Sequence, residues 1–186
     1  MRPFDFIILF FSFIYTLALT HLLSAAALMV RHRRKIVFSW PLLLWMLTAF
    51  ALLSGNWLSL WDFHDQPVLS LWLIANAFGL VVVQYYICVV LAPDLGDGED
   101  YDLRRFHERE RRTYLVGFLA LIAYSLALNT DTGIQKWGSQ NLITLAFIPP
   151  ILAAIFIRRT WVQVLAPIFT LCLGILFPIL YYPALR

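Results

Sequence analysis

Charge is scarce in this sequence and unevenly spread. Asp, Glu, Lys and Arg make up 13% of the 186 residues, against about 25% in an average soluble domain. None of them falls within six long apolar runs, at residues 6–30, 36–61, 68–92, 114–129, 142–157 and 161–182. A soluble fold needs polar side chains to cover its surface, so this scarcity excludes one. It also removes the carboxylate relay of a proton-coupled transporter and the paired aspartates of an intramembrane protease, because an ionised group at membrane depth is the usual mark of such chemistry.

Cysteine is nearly absent too. Cys88 and Cys172 stand alone in the third and sixth runs, which excludes a disulfide scaffold and any CxxC-type metal framework. GxSxG, HExxH and GxxxxGK[ST] strings do not occur, so those hydrolase, zinc-protease and P-loop signatures are missing. The sequence leans away from an enzyme, and no cofactor is expected.

What remains is apolar. A spanning helix needs about 20 apolar residues, so the six runs predict an all-α, polytopic bundle of six transmembrane helices that occupies 1–186 as one domain. The fourth and fifth runs are short and are expected to borrow turns from their flanks. The first is too long for a signal peptide and precedes its basic cluster RHRRK, so it reads as an uncleaved helix despite the small residues Ser24–Ala27.

Eleven of the fourteen basic residues lie in the first, third and fifth connections, which places these in the cytoplasm and both termini outside it. The expected location is a plasma or bacterial inner membrane. The net charge of +3 therefore reflects topology and anionic headgroups, and does not point to nucleic acid. Trp40 and Trp161 on one side, and Trp57, Trp61, Trp72 and Trp137 on the other, suit the two interfaces, with Trp45 as the exception. RRKIVFSWPLLL, RRTYLVGFLALI and RRTWVQVLAPIF resemble one another, a pattern that a hairpin repeat or positive-inside topology alone produces. An inverted three-plus-three arrangement is equally open.

Twelve of the 25 charged residues crowd into 93–112. Its acidic half, with Gly96 and Gly98, reads as a turn. From Leu103 onward the pattern predicts a short amphipathic helix that runs straight into the fourth apolar run, with Asp102 as N-cap, Leu103 and Phe106 on the membrane surface, His107 solvated or lipid-facing, and Glu108 paired to Arg112. Asp97, Glu99 and Glu108 match part of a calcium loop, but Asp102 stands where its glycine belongs. The island is expected to be a cytoplasmic connector, with Arg104, Arg105 and Glu108 as a surface for docking a partner.

His21 is the only histidine predicted at membrane depth. It suits an interhelical hydrogen bond, a proton-sensing role, or haem or metal ligation without a second intramembrane imidazole. Ser12, Thr16, Thr20 and Ser24 recur every four residues beside it, a stripe for close packing or for lining a polar path that would include Asn76 and Gln84. Pro149 and Pro150 in the fifth run, and Pro167 and Pro178 in the sixth, are candidate hinges because proline removes a helix hydrogen bond. Asp62, His64 and Asp65 make an incomplete metal set and read as a polar turn.

Two functional classes follow. The first is a channel-like or transporter-like bundle for an ion or small solute, oligomeric if it conducts, that uses His21, Asn76, Gln84 and the proline-bearing helices. The second is an accessory, assembly or sensory subunit that docks a partner through the charged island. The lipid bilayer is a partner in both, with a homo-oligomer or another membrane subunit alongside.

Overall fold

A computed structural model describes residues 3–64, 70–94, 101–131 and 139–181. Among the described residues the regular structure is helical apart from two residue pairs. Its elements are α1 (Pro3–Arg31), β1 (Ile36–Val37), α2 (Trp40–Ser59), a 3₁₀ turn (Leu60–Phe63), α3 (Leu71–Leu91), β2 (Tyr101–Asp102), α4 (Leu103–Asp131), α5 (Ser139–Ala146), α6 (Ile148–Phe156) and α7 (Thr160–Tyr181). Among the described residues five helices, α1, α2, α3, α4 and α7, are long and apolar enough to cross a membrane.

The second run does not begin as a helix. Ile36 and Val37 pair in parallel with Tyr101 and Asp102, and α2 starts at Trp40 with Pro41 in its first turn. Proline has no N–H to donate and suits that turn, so Pro41 marks the boundary that hydrophobicity alone hides. Conversely, the basic half of the charged island and the fourth apolar run form one uninterrupted helix, α4. The Asp102 carboxylate accepts hydrogen bonds from the Arg104 and Arg105 N–H groups at 2.9 and 3.2 Å, which satisfies two of the orphan donors at its start.

The fifth run is two helices rather than one. It breaks at Phe147, and Pro149 and Pro150 lie in the first turn of α6. The pair cannot bond back to the preceding turn, so the interruption falls just before it. The apolar stretch Asn141–Phe156 is shorter than the five long helices. At 1.5 Å per residue it spans about 24 Å, less than a hydrocarbon core of about 30 Å. α7 contains both Pro167 and Pro178 without a break in its assignment.

The packing mixes directions: α1 with α3 and α2 with α7 run parallel, and α3 with α4 runs antiparallel. α2 packs most extensively on α7, α3 on α4, and α1 on α3. The β1–β2 pairing brings the connections after α1 and α3 to one end, which holds most of the described basic residues and is called here the basic end. At the opposite end the Phe4 ring meets His64, and the Asn129 amide donates to Asn141 Oδ1 at 2.9 Å. The α5–α6 pair thus carries the chain back to the basic end, and α7 returns it. Buried side chains of α1 to α4, α6 and α7 make one continuous core.

Trp45 belongs to that core. It is fully buried, with its ring centroid 5.2 Å from Phe118 and 6.1 Å from Tyr114, which explains its departure from the interfacial pattern. Trp40, Trp57, Trp61, Trp72 and Trp161 are exposed near helix ends. Trp137 lies outside the described residues, as do Asp65, Asp97 and Glu99. Among the described residues no cluster of three metal-ligating side chains forms.

Candidate functional site: an arginine-lined cleft at the basic end

The helix-one stripe does not line an interior path. Thr16 and Thr20 are exposed, and their hydroxyls bond the carbonyls four residues back on α1, at 2.8 Å each. Ser12 accepts from Trp57 Nε1 at 3.1 Å, and exposed His21 meets the Tyr85 hydroxyl through Nε2 at 3.4 Å. These are contacts between neighbouring helices at the surface. Asn76 and Gln84 are buried on α3, where Asn76 donates to the Trp72 carbonyl and Gln84 Oε1 accepts from Asn56 at 2.8 Å. Two small pockets between the helices have volumes of about 20 and 50 Å³. The larger, edged by Asn56, Ser125 and Thr144, has room for a few water molecules and no more.

The large concavity lies elsewhere. A cleft of about 960 Å³ opens at the basic end between the starts of α2, α4 and α7. Six arginines line it, Arg104, Arg105, Arg109, Arg111, Arg112 and Arg158, with Glu108 as the one acidic side chain. Phe38, Trp40, Pro41 and Val164 give it an apolar wall. The starts of α2, at Ser39, and of α7, at Thr160, also face it, and Ser39 makes no side-chain cap. Two helix N-termini therefore add partial positive charge to the arginines.

Continuity of α4 builds this arrangement. Leu103, Phe106 and His107 are buried rather than on the membrane surface or in solvent, because β1–β2 pairing draws the start of α4 into the bundle. Arg104 Nε donates to the Phe38 carbonyl at 3.2 Å, a further tie between α4 and the approach to α2. Glu108 is exposed and forms no ion pair with Arg112. Next to the cleft, burial pushes the Tyr101 phenol above its usual range, with the Arg109 guanidinium opposing. Tyr101 therefore stays neutral and adds no negative charge.

His107 and Gln163 hold the inner wall. The Tyr114 hydroxyl and His107 Nδ1 are 2.7 Å apart, and Gln163 Nε2 donates to the carbonyls of Ala154 and Ile157 at 2.9 and 2.6 Å. Gln163 thus ties the start of α7 to the end of α6, where helix carbonyls lack intrahelical donors. His107 Nε2 and Gln163 Oε1 close no hydrogen bond, although Gln163 is near enough to act on the ring. Gln163 is a structural clamp between α6 and α7, with the Tyr114–His107 pair beside it, and nothing in the sequence spacing marks either.

Arg111 is different. It is only 6% exposed, its Nε has no partner, and Nη2 makes one long bond, 3.5 Å, to the Ile155 carbonyl. That carbonyl end of α6 supplies partial negative charge, well short of a carboxylate. Burial disfavours the Arg111 charge most, the Tyr114 oxygen favours it, Arg158 and Arg112 oppose it with like charge, and Glu108 favours it. Elsewhere Arg105 pairs with Asp102 at 3.4 Å and Arg109 with Glu110 at 2.8 Å. Among the described residues Arg111 has no such counter-ion, and a buried charge left uncompensated costs several kcal/mol.

No family model, no curated protein and no solved structure matches this chain. Function is therefore argued from this geometry alone.

Proposed function

We propose that the chain is a non-catalytic integral membrane subunit of six spans, with α5–α6 as the short fifth, and that its working part is the arginine-lined cleft. On this reading it belongs to the accessory or sensory class and recognises an anionic group presented at the membrane surface. The basic end lies in the cytoplasm and both termini lie outside it, following the distribution of arginine and lysine. The carrying observation is Arg111, a buried guanidinium with no counter-ion among the described residues, in a cleft of six arginines and one glutamate. Arg104, Arg105 and Glu108, on the exposed first turns of α4, form its outer rim.

A permeation role draws less support, because Thr16 and Thr20 bond their own helix backbone and the two small pockets hold a few waters at most. The prolines of α6 and α7 fit hinges that adjust the cleft, since Pro149 and Pro150 begin the segment that Gln163 anchors. The deciding experiment is native mass spectrometry of protein extracted gently from its own membrane. The expected result is a heteromeric complex that Arg104→Glu with Arg105→Glu disperses. A homo-oligomer that is indifferent to those changes would return the permeation reading to first place.

A further inference from the structure

We infer that the inner part of the cleft, at Arg111, is a site for a phosphoryl group, carried either by an anionic lipid headgroup or by free phosphate. The inference rests on the anion-binding reading above and narrows its ligand. Three observations point to this chemistry. Arg111 is more than nine-tenths buried, lines the cleft, and has an Nε without a partner. Arg112 and Arg158 share the lining with no carboxylate paired to them among the described residues and lie near enough to act on Arg111, so three guanidinium groups line a cleft with one negative side chain, Glu108. Finally, the starts of α2 and α7 both open onto the cleft, and helix N-termini favour tetrahedral oxyanions.

A single carboxylate satisfies one arginine fork. A phosphate monoester carries close to two negative charges and three strong acceptor oxygens, which match several guanidinium groups and two helix ends together. Binding would also remove the mutual repulsion of Arg111, Arg112 and Arg158. The apolar wall of Phe38, Trp40, Pro41 and Val164 suits the glycerol and first acyl carbons of a lipid, and tolerates free phosphate as well. Phosphate chemistry is common to the two sources.

The test uses the full chain in nanodiscs of neutral phosphatidylcholine. In one arm inorganic phosphate is titrated and followed by calorimetry. In the other, phosphatidic acid is mixed into the nanodisc and its retention is counted by native mass spectrometry. Saturable one-site binding in either arm is expected, and the arm that responds identifies the source. Arg111→Gln should weaken that binding by about tenfold or more, as loss of a charge-assisted fork does, while Arg33→Gln, outside the cleft, leaves it unchanged.

Arg158→Gln, at an exposed position less critical to folding, should weaken it in the same direction and serves if Arg111→Gln does not fold. Silence in both arms, or equal weakening by Arg33→Gln and the cleft variants, would overturn the phosphoryl assignment. A complex that Arg104→Glu with Arg105→Glu still disperses, while both phosphate arms stay silent, would overturn this inference and leave the anion-binding reading standing. If the complex is also indifferent, both fail.

Discussion

At the scale of single residues, close approach and buried amides carry the specificity of the fold. A Cβ added at Gly79 would lie 2.5 Å from Tyr124 Cε1 and 2.8 Å from Cζ, so α3 and α4 meet here only because glycine has no side chain. Gly79→Ala should destabilise the protein by about 1–3 kcal/mol, as overpacking does, and Tyr124→Leu in the same chain should recover part of the loss. Thermal denaturation in detergent checks both. Asn56 and Gln84 join α2 to α3 through one 2.8 Å bond, and Gln84 is buried. A double-mutant cycle of Asn56→Leu and Gln84→Leu should show coupling of about 0.5–1.5 kcal/mol, in the range of polar contacts between membrane helices. A large effect of Gln84→Leu on solute flux without a change in stability would argue instead for a polar path. Gln84 as a polar residue of interest was readable from the sequence, but its partner was not, because Asn56 lies 28 residues away on another helix.

At the scale of elements, helix breaks follow proline while helix continuity follows tertiary support. Pro41 and the pair Pro149–Pro150 set the starts of α2 and α6, and both signals stood in the sequence. The helical pattern from Leu103 into the fourth run was also legible, and the unbroken α4 bears it out, but hydrophobicity does not explain its highly charged first turns. They are helical because Asp102 caps them and because Leu103, Phe106 and His107 find a core to enter. α6 is short, and its C-terminal turn depends on the Gln163 amide. Gln163→Leu should cost about 1–3 kcal/mol, the price of carbonyls left without a donor, and hydrogen exchange should rise at Ile157 and its neighbours. Unchanged exchange there would show that water replaces the amide and that the clamp is incidental.

At the scale of the whole molecule, the arrangement predicts sidedness. With Cys88→Ala and Cys172→Ala as background, a membrane-impermeant maleimide applied to intact cells should label Ser70→Cys and spare Arg33→Cys. Ser70 and Arg33 are exposed at opposite ends of the bundle. The reverse pattern would invert the orientation and place the arginine cleft outside. By itself the sequence determined that the chain is helical and apolar enough for a membrane, and where its charge is concentrated, because hydrocarbon admits few other solutions to the backbone hydrogen-bond requirement. Only the tertiary structure decided that the basic half of the charged island is a wall of a cleft, that Thr16, Thr20 and Ser24 on helix one are exposed, and that Arg111 is enclosed with no counter-ion among the described residues. Those outcomes depend on which helices meet and at what height, and helix period and composition are nearly silent on both, because in lipid every helix face is apolar whether it meets protein or membrane.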